Sequence, residues 1–337
     1  MTLSRDGAPC GNCRLFIPAP AADGRWRMSA WDMLGQVLPV YLLLAAGALC
    51  RRLGLTKRES DDGILHMVLH VMYPCFILDK ILGSEGVDDF GKVAWGFGTG
   101  FLLTACGFGL AWLLAGLLGY QKGNGKRTFA VVSGVQNFGY TAIPVVQQLF
   151  GGALAMMFVH NLGVEMAIWS VGVMLISGER RIQWRRLLNG PAVSVVLGLA
   201  LVLSGLDRHF TGPARQAMGW LGVGTFPLAI FVTGAVMMDL IGREKPTLRA
   251  SVGGTVVRLG LLPVVMLVAA KFLPMPLLLK QVVVVQAAMP AAMTPILLAK
   301  LYGGRPAVAV EIVVATTVAS LVTLPVVLAF GRWWVGV

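Results

Sequence analysis

Two stretches of this chain place polar groups and helix breakers together inside apolar sequence. The first reads Gly134-Val135-Gln136-Asn137-Phe138-Gly139-Tyr140-Thr141-Ala142-Ile143-Pro144; the second reads Gln286-Ala287-Ala288-Met289-Pro290-Ala291-Ala292-Met293-Thr294-Pro295. Gly139, Pro144, Pro290 and Pro295 interrupt a helix, and an interrupted helix in lipid must find partners for the N–H and C=O groups it frees. The N-termini of the resulting half-helices carry partial positive charge, which suits an anion. Gln136, Asn137 and Thr141 from the first stretch, with Gln286, Pro290 and Thr294 from the second, are therefore the expected substrate-binding residues. The plainer reading is two kinked structural helices joined by Asn and Gln hydrogen bonds. Their matched places in the two halves of the chain favour a binding site.

The elements that must position these residues follow from composition. Of 337 residues, 56% are hydrophobic and only 13% are charged, against about 25% charged in a soluble domain. Mean hydropathy is +0.75. A bilayer core of ~30 Å is crossed by about 20 apolar residues in a helix, and roughly ten such runs fit: 30–50, 63–83, 93–118, 128–150, 153–177, 190–206, 217–240, 250–272, 277–300 and 305–331. The expectation is an all-α integral membrane protein of about ten transmembrane helices, with the lipid bilayer as its surroundings.

The net charge of +12 sits mostly in short loops, with no basic patch of interleaved aromatics, so no nucleic-acid partner is expected. Loops near Arg52, Arg127, Arg185, Arg249 and Arg305 are rich in Lys and Arg, whereas the alternate loops carry fewer. The richer set should be cytoplasmic, which turns both termini outward. Arg5, Arg14, Arg25 and Arg27 oppose that orientation. With no sustained apolar run before it, residues 1–27 read as a disordered tail or a mis-assigned start, and Met28 as a natural beginning. Cys10 and Cys13 form a lone CxxC without further ligands nearby, and His66 and His70 share a helix face without a third ligand; neither pair predicts a metal.

The two halves echo each other at an offset of about 150 residues. Pro39 is matched by Pro191, Tyr73-Pro74 by Phe226-Pro227, Val135-Gln136 by Val285-Gln286, Phe150-Gly151-Gly152 by Tyr302-Gly303-Gly304, and Val164-Glu165 by Val310-Glu311. Five spans per half is an odd number, so the second half must insert upside down. Residues 28–178 and 190–337 become two inverted five-helix repeats, joined by a cytoplasmic linker, 179–189. Among the charges within spans, Glu165, Arg258 and Glu311 stand out. Intramembrane charges are costly, so each is expected to couple an ion or to form an ion pair.

The interrupted stretches resemble those of the auxin efflux carrier family, whose bacterial members include malonate and malate carriers. Asn137 with Ile143-Pro144 and Phe150-Gly151 is similar to the family's first crossover helix. Ala288-Met289-Pro290, Pro295 and Ala299-Lys300-Leu301-Tyr302 are similar to the second, and Val37-Leu38-Pro39-Val40 with Gly47 to the first span. Plant members carry Pro where this chain has Gln136, and often a long central loop where this chain has only 179–189. Both departures point to a compact bacterial-type chain. The resemblance implies crossed, discontinuous fourth and ninth helices and elevator-like alternating access.

These readings converge on a secondary active transporter for a small organic anion, such as a mono- or dicarboxylate, in the cytoplasmic membrane, without a cofactor. A homodimer stays open as its assembly. The alternative is a sodium- or proton-coupled carrier of another family on the same inverted fold, bile-acid-type or cation–proton. An intramembrane enzyme would need a nucleophile–base pair or a metal constellation, and neither motif is present. A channel would show a charged ring or filter sequence, which is also absent from the sequence. The orientation is testable by cysteine labelling of intact cells. Residues introduced at 208–215 should react from outside and those at 180–186 should be spared; the reverse pattern overturns the inverted arrangement.

Overall fold

The structure, a computed structural model, describes residues 30–121, 125–178, 190–240 and 248–337. The tail with Cys10, Cys13 and Met28 and the linker 179–189 lie outside these residues. Among the described residues the chain is helical, with a single isolated bridge in place of any sheet. In order, the elements are α1 Ala30–Arg52, α2 Arg58–Ile81, α3 Phe90–Leu117, α4 Arg127–Gly134, α5 Ala142–Leu149, α6 Gly151–Ser177, α7 Gly190–Leu203, α8 Pro213–Asp239, α9 Leu248–Phe272, α10 Leu277–Ala288, α11 Thr294–Leu301 and α12 Pro306–Val335. Six of them (α2, α3, α6, α8, α9 and α12) are long and apolar enough to cross a membrane, by length and composition. Side chains such as Leu113, Leu117, Val264 and Val322 stand largely exposed on these helices, as lipid-facing surfaces require.

The helix contacts divide the elements into two groups. In one, α1, α2, α7 and α8 pack together. In the other, α3 to α6 pack with α9 to α12. Each group is fastened by a close approach of backbones. A Cβ on Gly47 of α1 would stand 1.9 Å from the carbonyl oxygen of Phe231, and one on Gly234 of α8 would stand 2.0 Å from that of Leu44. In the other group, Cβ atoms on Gly100 of α3 and Gly163 of α6 would lie 2.0 Å from the His160 oxygen and 2.1 Å from the Phe97 oxygen. Helices gain nothing from the hydrophobic effect when they associate in lipid. Small residues that let backbones touch supply the packing instead.

Charged groups close both ends of the first group. At one end Arg51 pairs with Asp61, and Arg58 pairs with Asp239 at 3.0 Å. At the other, Arg215 donates to the Leu82 carbonyl at 2.6 Å, and Asp207 accepts from the Gly83 N–H at 3.1 Å. Asp239 is thus a helix-end ion-pair partner. His66 and His70 stack on one exposed face of α2, their ring centroids 4.0 Å apart, and no metal-binding cluster occurs among the described residues.

The backbone contacts generate a prediction. Gly100→Ala should destabilise the folded protein by about 1–3 kcal/mol, the usual cost of overpacking. Gly98→Ala on the same helix meets nothing within 4 Å and should leave stability unchanged. Thermal melting in detergent checks the pair.

Candidate functional site

Each interrupted stretch folds as two short helices with an extended break. The first runs from α4, ending at Gly134, to α5, beginning at Ala142; the second runs from α10, ending at Ala288, to α11, beginning at Thr294. Proline at the second position of α11 is compatible with a helix start, where its missing N–H costs nothing. The two breaks pass each other and pair antiparallel at Gln136 and Ala291. The Asn137 N–H donates to the Pro290 carbonyl at 2.7 Å, and the Ala292 N–H donates to the Val135 carbonyl at 3.2 Å. The Ala291 N–H donates to Thr316 Oγ1 of α12 at 3.2 Å. Asn161 of α6 donates from Nδ2 to the Phe138 carbonyl at 2.9 Å, and its Oδ1 accepts from Gln286 Nε2 at 3.0 Å. Backbone groups freed by the breaks are thus paired with one another and with side chains from α6 and α12, as a low-dielectric setting demands.

The sequence-expected residues separate into two sets. Asn137 and Thr141 line a small pocket, joined by a 3.1 Å hydrogen bond from Asn137 Nδ2 to Thr141 Oγ1. Gln136 and Gln286 do not line it; they are 1% and 0% exposed. Gln136 Nε2 and Gln286 Oε1 have no hydrogen-bond partner among the described residues. Pro290 is buried at the crossing, where its carbonyl serves Asn137. Thr294 is half-buried at the start of α11. Gly139 lies in the first break, with Pro144 in the first turn of α5 and Pro295 in the first turn of α11.

The pocket is a small, open-mouthed cavity of about 10 Å³. Its walls come from both helix groups. Leu44 of α1 and Ile230, Thr233 and Met237 of α8 form one side; Asn137, Tyr140, Thr141, Met293 and Thr317 form the other. Thr141 and Met293 are the N-caps of α5 and α11, so both half-helix N-termini open on the same pocket. Tyr140, Thr233 and Thr317 were not singled out from sequence. Tyr140 stood inside the first stretch and could have been chosen on its hydroxyl. The two threonines carry no local signal, because only packing brings α8 and α12 to the pocket.

The intramembrane charges are not gathered there. Glu165 acts electrostatically on Tyr73 and on the pocket residue Tyr140. Glu311 accepts from Ser251 Oγ at 2.6 Å. Arg258 is fully buried in a π-helical turn of α9, donates to the Met266 sulfur at 3.7 Å and forms no ion pair among the described residues. His160, beside Asn161, is also fully buried, and neither ring nitrogen has a partner among the described residues.

Comparison with known proteins gives the arrangement its context. The chain is 26% identical over 297 residues to an uncharacterized transporter of Methanothermobacter thermautotrophicus, covering 86% of this chain and 95% of that protein. A family model described as membrane transport protein matches residues 32–183 and 180–328, nearly the whole chain. With its apolar helices and crossed breaks, the chain is a multi-pass membrane transporter and belongs to the membrane transport protein family, the auxin efflux carrier family.

Proposed function

We propose that this transporter is a secondary carrier that moves a small organic anion, a mono- or dicarboxylate, across the cytoplasmic membrane by elevator-like alternating access. The observation that carries the reading is the pocket onto which both half-helix N-caps open. Two helix N-termini beside one space offer a carboxylate partial positive charge. Asn137, Tyr140, Thr141, Thr233 and Thr317 add an amide and hydroxyls, and the lining given by the described residues contains no Lys or Arg. A carboxylate held by dipoles and neutral donors remains releasable, which a carrier needs at the end of each cycle.

Alternating access follows from where the walls come from. One side of the pocket belongs to the group of α1, α2, α7 and α8, and the other to the group that holds the crossing. Sliding one group along the other would open such a pocket first to one face of the membrane and then to the opposite face. The ten-span organisation in two inverted repeats, residues 28–178 and 190–337, belongs to the same proposal. Two breaks at matched places, crossing antiparallel, support it.

The test is counterflow of radiolabelled carboxylates in liposomes with matched amounts of protein. An interhelical hydrogen bond in a membrane is worth only about 0.6–2 kcal/mol, so single changes at the crossing should spare the fold. Asn137→Ala should lower uptake on the order of tenfold with near-normal expression. Pro290→Ala should let the helix close through the break and impair transport as well. Wild-type rate and affinity in both variants would place the substrate site elsewhere.

A further inference from the structure

The end of α3 carries a feature that substrate movement does not use. After Leu117 the chain turns through Gly119, which has a φ of 77°. Two cations converge on this last turn. The Lys126 ammonium lies over the Trp112 ring, 4.6 Å from its centroid, and the Arg249 guanidinium lies 5.6 Å from the centroid of Tyr120. A Cβ on Gly116 would stand 3.1 Å from Lys126 Nζ, and one on Gly119 would stand 3.7 Å from the Arg249 nitrogens. Gly116 and Gly119 are one turn apart, so the two cations flank a single corner. Arg305 enters the same corner, its Cδ 3.6 Å from where a Cβ on Gly125 would stand.

A simpler account is that these cations neutralise the negative end of the α3 dipole. That account leaves most of their hydrogen-bonding capacity unused. Arg249 makes a single long bond to the Gly119 carbonyl, 3.5 Å, out of five donors in its fork. The Lys126 ammonium has three donors and forms neither an ion pair nor a hydrogen bond among the described residues; Arg249 forms no ion pair among them either. Trp and Tyr beside cations at the end of a long apolar helix mark the level of the lipid headgroups. Basic pockets at that level recognise anionic headgroups. We infer that Lys126 and Arg249, with Trp112 and Tyr120 beneath them, bind the phosphate-bearing headgroup of an anionic phospholipid at the end of α3.

The experiment uses the full chain. Native mass spectrometry measures binding of phosphatidylglycerol and of phosphatidylcholine to the wild type and to the Lys126→Gln/Arg249→Gln double variant. Melting is followed in nanodiscs of each lipid. The inference expects phosphatidylglycerol affinity to fall on the order of tenfold in the double variant, with phosphatidylcholine binding unchanged. It also expects the wild type to melt higher than the variant only in phosphatidylglycerol. Lys271→Gln, whose ammonium donates to the Trp334 carbonyl, should leave both lipid affinities as they were. Equal loss of stability in both lipids would reduce the cations to a helix cap and overturn the inference. So would unchanged phosphatidylglycerol binding, or equal stabilisation by inorganic phosphate alone.

Discussion

The constraint on which this molecule depends is that lipid offers a peptide group nothing to bond to. Two helices are nevertheless broken in the buried interior, between Gly134 and Ala142 and between Ala288 and Thr294. What makes the breaks tolerable is reciprocity. Each supplies an N–H to a carbonyl of the other, Asn137 to Pro290 and Ala292 to Val135. Thr316 and Asn161 cover groups that this exchange leaves over. Neither break is satisfied without the other, which ties residues some 150 positions apart into one unit. Because partners are found sideways, the N-caps of α5 and α11, Thr141 and Met293, come to line one pocket.

The same demand explains why amides recur around the crossing. Gln286, Asn161 and the Phe138 carbonyl form a chain of hydrogen bonds that crosses three elements. Yet Gln136 Nε2 and Gln286 Oε1 remain without partners among the described residues. A buried amide atom left in this condition costs about 1–3 kcal/mol.

The breaks were readable from the sequence because both stretches combine helix breakers with amides, which are costly at membrane depth. Their matched places were readable from order and offset, and their crossing from the family resemblance. The division of labour within the stretches was not. Asn137 and Gln136 are neighbours, yet one lines the pocket and the other is sealed away, since an extended backbone sends successive side chains to opposite faces. Thr233 and Thr317 were invisible for a different reason: a lone threonine in an apolar helix usually bonds its own preceding turn, and Thr317 does so through the Val313 carbonyl. Arg258 signalled a partner by its charge, but its setting in a π-helical turn is a matter of packing that no local pattern announces.

The glycine contacts have an evolutionary consequence. They fix α1 against α8 and α3 against α6 through main-chain atoms, which every sequence shares, and they lie inside the groups rather than between them. The pocket walls consist instead of side chains such as Met237, Met293, Thr233 and Thr317, and methionine adapts readily to altered neighbours. A lineage can therefore exchange what faces the pocket while keeping the few small residues that set helix spacing. Under the proposed function, divergence in cargo then needs no redesign of architecture, and two chains can agree at only 26% of positions while aligning over nearly their whole lengths.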